Sequence, residues 1–210
     1  MTIKPAEGWG RVVERPANLV TVTDDATLAS HLDALRRDPT LPPVAVSGGD
    51  LARTVGGVDR PGVGGPTVNE LPIDLLTVRL GGSADPVTAC AHVVARSPWW
   101  RGSWWRGPVL VVMNAEFLGS FDVAPRGHPN DGRVEVLEAG TDLTLRQRLA
   151  ARQRLRTATH VPHPAITTRS VRQASWTFRR PMAIAIDGRR SGRTRTIDVT
   201  VTPDAAIVHV

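Results

Sequence analysis

The chain has 210 residues, of which 41% are hydrophobic and 22% charged, with a net charge of +6. That length suits one large domain or a small domain beside a medium one, and the apolar content is enough for a real core. A single cysteine, Cys90, excludes an internal disulfide, no window approaches the ~20 apolar residues of a membrane span, and the N-terminal MTIKPAEGWGRVVE lacks a secretory apolar core. A soluble, cytoplasmic protein is the expectation.

Asn18–Thr23 (NLVTVT) predicts a strand. Asp24 and Asp25 are placed to cap the helix ATLASHLDALRR, where Leu28, Leu32 and Leu35 share a face. Leu41–Val46 predicts a second strand, and the turn Gly48-Gly49-Asp50 leads into a short helix, LARTV. Asp59–Pro66 (DRPGVGGP) has linker composition. Ile73–Leu80 predicts a strand, and Asp85–Ala95 a helix carrying Cys90 as a buried, inert thiol. Strands follow over Val109–Asn114, Gly119–Ala124 and Arg133–Leu137, then a helix over Leu143–Arg156. Arg169–Phe178, Met182–Ile186, Arg195–Val201 and Ala206–Val210 again read as strands. Many short strands separated by turns point to a β-sandwich.

Three segments set an aspartate in or beside a glycine turn next to a β-type apolar run. They are VSGGDLARTVGG (Val46–Gly57), APRGHPNDGRVEV (Ala124–Val136) and AIAIDGRR (Ala183–Arg190). Turns that expose a carboxylate at a strand end are where metal and phosphate chemistry tends to be built. In this order they resemble the bacterial diacylglycerol kinase and lipid kinase family. Asp50, Leu51, Ala52, Arg53, Thr54 and Gly56 match that family's Asp–hydrophobic–Ala-Arg stretch, while Ser47 and Gly49 stand where Thr and Asn are usual. Pro72–Val78 (PIDLLTV) fits the Ile-Asp strand that opens the family's second domain. Asn114, Gly119, Ala124, Pro125, Asp131 and Gly132 then follow in family order. Asp187-Gly188 takes the place of Asp-Gly-Glu, with Arg189 in place of the acid.

The resemblance implies an α+β protein: a small truncated α/β unit over residues 1–72, with a linker at 59–72, followed by a larger antiparallel β-sandwich over 73–210. The truncation is expected because about seventy residues precede the sandwich. In addition, neither ATP-gripping turn of the family, Asn-Pro-x-x-Gly or Gly-Gly-Asp-Gly-Thr, is matched. Ser47, Gly48, Gly49 and Asp50 remain as a degenerate candidate nucleotide site. By the same resemblance Asp187 corresponds to the proposed general base, which needs its carboxylate within reach of the attacking hydroxyl. Arg189 and Arg190 beside it would lower its pKa, and a plain hairpin turn is the competing reading. Asp131 matches a Mg²⁺-ligating position, although a hard cation wants more oxygens than one carboxylate. His128, His160 and His163 lack the cysteine partners and spacing of a zinc site and read as loop residues.

Four of the six tryptophans sit in SPWWRGSWWRGP (Ser97–Pro108). If this were a hairpin, Trp99, Trp100, Trp104 and Trp105 could not all face one core, because strand neighbours point oppositely. Some are expected at the surface, as a contact for a second protomer or protein partner, or for a peripheral anionic lipid. Nucleic acid is the disfavoured partner. Thr144–Arg156 places Leu145, Leu149 and Leu155 on a helix face with Arg148, Arg152 and Arg156, poor core material that suits solvated or snorkelling arginines. Two functions are therefore expected in competition. One is a lipid-kinase-like binding or regulatory module without catalysis. The other is an active ATP- and Mg-dependent lipid kinase with a minimal or partner-completed nucleotide site.

Overall fold

The computed structural model describes residues 9–57, 65–83, 85–161 and 163–210. The expected linker at Asp59–Pro66 falls largely outside them. The first part of the chain gives strands β1 (Arg11–Glu14), β2 (Val20–Val22) and β3 (Val44–Val46) and helices α1 (Asp25–Arg37) and α2 (Asp50–Thr54). Then come β4 (Thr67–Leu80), β5 (Val87–Ala89), β6 (His92–Arg96), β7 (Val109–Met113), β8 (Phe117–Leu118), β9 (Phe121–Asp122) and β10 (Val134–Ala139). Helix α3 (Leu145–Arg154) precedes β11 (Ile166–Val171), β12 (Gln173–Ile186) and β13 (Arg189–His209).

The architecture is the α+β arrangement expected: a small α/β unit followed by a large, predominantly antiparallel sheet region with sandwich character. The main path runs β1-β4-β13-β12-β6-β7-β10-β11. β2 and β3 pair in parallel, and β3 joins the sheet through one parallel bridge to β13. Alternate residues enclose the main core, such as Val93 and Ala95 on β6, Leu110 and Val112 on β7, and Ile184 and Ile186 on β12. The opposite faces of β6 and β7 supply Val94, Val109 and Val111 to a second cluster with Val123 and Leu137. This is the period-two pattern of strands covered on both sides. No helix among the described residues is long and apolar enough to cross a membrane.

Helix α1 starts where the sequence predicts. Asp24 accepts from Thr27 N at 2.9 Å, Leu28 and Leu32 face the core, and Arg36 and Arg37 complement the C-terminal dipole. Helix α2 ends in a Schellman arrangement, with Gly57 N–H on Ala52 O, Gly56 N–H on Arg53 O, and Gly56 at φ +73°.

The helix expected at Asp85–Ala95 is replaced by strands β5 and β6. VTACAHVVA is apolar on every side, so periodicity alone could not separate a buried helix from a doubly covered strand. β6 lies between β12 and β7, where valine packs well. The expected Gly119–Ala124 strand is a two-residue arm of the small β8–β9 hairpin. The expected tryptophan hairpin is two 3₁₀ turns, Trp99–Arg101 and Ser103–Trp105, joined through Gly102 in the left-handed region at φ +90°.

Candidate functional site

Between β7, β10, the β8–β9 hairpin and α3 lies a cavity of about 610 Å³. Its wall is largely apolar, with Val111, Leu118, Phe121, Leu137 and Leu155 among its members. Arg148 holds the roof in place. Its guanidinium is buried and donates to the carbonyls of Leu143, Trp104, Gly107 and Gly140. It therefore ties α3 to the tryptophan turns, and the expectation that it is a solvated or snorkelling arginine is corrected. Four carbonyl acceptors, with no carboxylate, take four of its five N–H donors. Arg152 also lines the cavity, its guanidinium 5.4 Å from the Trp105 ring and 5.7 Å from Phe121.

One stretch of the cavity wall is polar and includes Asp50 and His92. His92 Nε2 lies 2.8 Å from Asp50 Oδ2, and Asp50 Oδ1 accepts from Gly119 N at 2.8 Å. The matched motif thereby acquires a physical role. Leu51 and Ala52 are core, while Asp50, Arg53 and Thr54 dock the hairpin region: Arg53 donates to Gly119 O, and Thr54 Oγ1 accepts from Glu116 N. Burial opposes charge on His92, but its bond to Asp50 and the charges of Asp187, Asp50 and Asp25 outweigh it and raise its pKa.

Behind this pair, Asp187 sits in the two-residue turn between β12 and β13, at φ +46° with Gly188 at +78°. Asp-Gly is the preferred pair for this turn. The side chain points inward. Oδ1 accepts from Ala91 N and His92 N, both at 2.9 Å, and Oδ2 from Cys90 N at 2.8 Å. Arg189 does not lower its pKa as expected, because its guanidinium reaches Asp24 and Thr27 instead. Burial dominates and raises the pKa of Asp187. Cys90 is fully buried, its thiol pushed up by burial and by the charges of Asp187 and Asp25, as suits an inert residue.

The candidate nucleotide residues form a closed turn. Ser47 N donates to Val22 O, and a Cβ on Gly48 would lie 2.4 Å from Thr23 O. Gly49, at φ +95°, leaves space that the Asp25 carboxylate occupies. That carboxylate accepts from Asp50 N at 2.7 Å and from Leu51 N at 3.0 Å. Two of the N–H groups at the start of α2, the kind that grip phosphates in glycine turns, are thus already taken. A nucleotide phosphate does not fit them. Burial and the neighbouring aspartates push the Asp25 pKa up to about 6, against the two N–H bonds.

Among the described residues, Asp25, Asp50 and His92 form the one grouping of three side chains with metal-capable donors. It does not fit Mg²⁺, which wants near-octahedral oxygen ligands and retained waters. One donor here is an imidazole, and every carboxylate oxygen of the set already holds an N–H or the imidazole. Asp131 is not in the grouping. Its Oδ1 accepts from Arg133 N, and burial raises its pKa. Nearby Asp74 is fully buried and holds the chain together through Gly132 N and Asp204 N. The sequence did not show the roles of Asp25, which reads as a helix cap, of Asp74, which lies in the matched Ile-Asp strand, or of His92. Asp24-Asp25-Ala26-Thr27 keeps the Asp and Thr spacing of Gly-Gly-Asp-Gly-Thr with the glycines replaced, a signal hidden by treating both aspartates as caps. His92 had no signal, because it lay in a predicted helix.

Trp99 is 78% and Trp100 52% exposed, whereas Trp105 is half-buried against Arg152. His128 packs edge-on against Trp9, His163 accepts from Ala165 N, and neither belongs to a metal-capable group among the described residues.

No family model and no curated protein matches this sequence. Solved structures do match. One carrying the name diacylglycerol kinase, from Bacillus anthracis str. Sterne, aligns with a TM-score of 0.62 at 12% identity, covering 91% of this chain and 77% of that one. A further structure of that name and source aligns with a TM-score of 0.58 at 11% identity, covering 91% and 75%. At such identities the likeness establishes the fold, which is diacylglycerol kinase-like.

Proposed function

We propose that this protein is a lipid-binding module built on the lipid-kinase fold and that it does not transfer phosphate. The observation that carries the reading is the 610 Å³ cavity, an apolar space with Asp50 and His92 in its wall. A lipid would place its chain against Val111, Leu118 and Leu137 and a hydroxyl against the Asp50–His92 pair. The size falls within the ~300–1,000 Å³ of ligand pockets.

Two features speak against phosphoryl transfer. Asp25 occupies the N–H groups that a nucleotide would need. The Asp187 carboxylate is buried and taken up by three backbone N–H groups, which leaves it poorly placed to receive a substrate proton. Asp187 is therefore read as a structural residue. The exposed Trp99 and Trp100 are proposed as the contact for a second protomer or a protein partner.

The alternative, an active lipid kinase, is favoured by the convergence of Asp25, Asp50, His92 and Asp187 on one spot. Calorimetry with Mg-ATP, alongside displacement of an apolar fluorescent dye by monoacylglycerol, separates the two. The expected result is dye displacement without saturable ATP heat. Transfer of labelled phosphate from ATP to the lipid would establish the kinase reading instead.

A further inference from the structure

His160 is 2% exposed and lines the cavity, yet neither ring nitrogen makes a hydrogen bond of good geometry. The backbone of Val123 and the Asp122 carboxylate are the polar groups that act on the ring. Burial lowers its pKa, so the ring is neutral near pH 7, one nitrogen a donor and the other an acceptor. A buried polar group without a partner is costly, and native structures rarely leave one unexplained. Asp50 and His92 form a separate polar patch, already paired with each other.

The cavity size limits what can reach His160. A methylene group takes up about as much space as a water in the liquid, ~30 Å³. A sixteen-carbon chain then needs roughly 480 Å³ and two such chains roughly 960 Å³ on the same basis. A volume of about 610 Å³ accommodates one such chain. A plain alkyl chain would bury His160 further and offer its nitrogens no hydrogen-bond partner beyond the Val123 backbone.

We infer that the cavity takes a single-chain amphiphile with a hydroxyl within its chain, and that His160 reads that hydroxyl. The inference rests on the lipid-binding reading and narrows it. A secondary hydroxyl can both donate and accept, which matches a neutral imidazole. A site built to hydrogen-bond a hydroxyl discriminates strongly against the analogue that lacks it, because its own polar group is then left unpaired.

The test is binding of stearate and of a series of hydroxystearates differing in hydroxyl position, each measured by displacement of an apolar dye from the full chain. At least one positional isomer should bind about tenfold or more tighter than stearate. His160→Leu should abolish that preference while binding stearate at least as well as the wild type. His160→Gln, which keeps a donor and an acceptor, should retain part of the preference and guards against misreading a folding defect. Equal binding of stearate and every isomer by the wild type overturns this inference and leaves the lipid-binding reading standing. So does a preference that survives in His160→Leu. If none of the probes displaces the dye, the lipid-binding reading falls and this inference with it.

Discussion

Replacing Asp187 separates a carboxylate that holds the chain from one that performs catalysis. In Asp187→Ala three buried N–H groups, those of Cys90, Ala91 and His92, lose their acceptor. Each orphaned group costs ~1–3 kcal/mol. The residue also sits at φ +46°, where alanine pays a further ~1 kcal/mol. Even at the low end the sum is about 4 kcal/mol, a large share of the ~5–15 kcal/mol by which a domain is stable. Asp187→Asn should cost less, because asparagine accepts the left-handed conformation. With its oxygen in the Oδ1 position it keeps the bonds to Ala91 and His92. Only the Cys90 N–H is lost, facing an amide NH₂ that cannot accept, so about 2 kcal/mol is expected. Urea unfolding followed by tryptophan fluorescence gives both values from the midpoint and slope. An alanine variant within ~0.5 kcal/mol of wild type would refute the structural role and return Asp187 to candidacy as a base.

Arg148→Leu should destabilise by at least ~3 kcal/mol, since it strands carbonyls that a charged donor satisfies. It should also loosen α3 over the cavity, and a thermal melt together with dye affinity reads both effects. Trp99→Ala should cost no more than ~1 kcal/mol of stability, because the ring is 78% exposed and packs edge-on against Trp100 at 5.9 Å; sedimentation at several concentrations should show weaker self-association. Asp25 gives a pH signature. With a folded pKa of about 6 against 3.8, the native state holds the extra proton between those values. Stability therefore falls as pH rises from 4 to 6, by up to about 3 kcal/mol. Asp25→Asn should remove that slope from the difference curve, and a slope unchanged in the variant would refute the assignment. His92 adds a loss in the same direction, as pH rises through its raised pKa above 6.5.

Local signals carried the small unit. The cap at Asp24 and the Leu28 and Leu32 stripe each act over one or two turns, and each was legible. The sheet beyond Ile73 was legible as strands wherever polar and apolar residues alternate, as at Arg195–Val201. It failed where both faces are covered, at Val87–Arg96, because the alternation is then erased. The same burial hid His92, and with it the polar patch of the cavity. Asp187 and Asp131 were found from their glycine turns, but a turn motif does not say whether its carboxylate points outward to a ligand or inward to the chain. Asp187 points inward because the Cys90–His92 backbone, between β5 and the start of β6, needs acceptors there. The arginine pattern of α3 was misleading for a related reason: whether a guanidinium is solvated or buried depends on carbonyls supplied from distant loops.

The position of Asp25 bears on whether a nucleotide site could be restored by a small change. Its carboxylate bonds the first N–H groups of α2, and Gly49 has no side chain in the space where that carboxylate sits. Removing it would free two donors, but α2 is only five residues long and offers little dipole. The Gly48 backbone is also packed on Thr23 O, which leaves no room for the chain to open around a phosphate. Asp25→Ala should therefore lower stability through the two orphaned donors without creating ATP affinity. Most of the cavity wall comes from other elements, the α3 roof and the faces of β7 and β10, and Asp25 itself is not part of it, although Asp50 is. Lipid binding should persist in that variant at a temperature below its melting point. A variant that lost lipid binding while still folded would show that the two halves of the fold are coupled through the Asp50–His92 pair, which Asp25 positions through the Asp50 N–H.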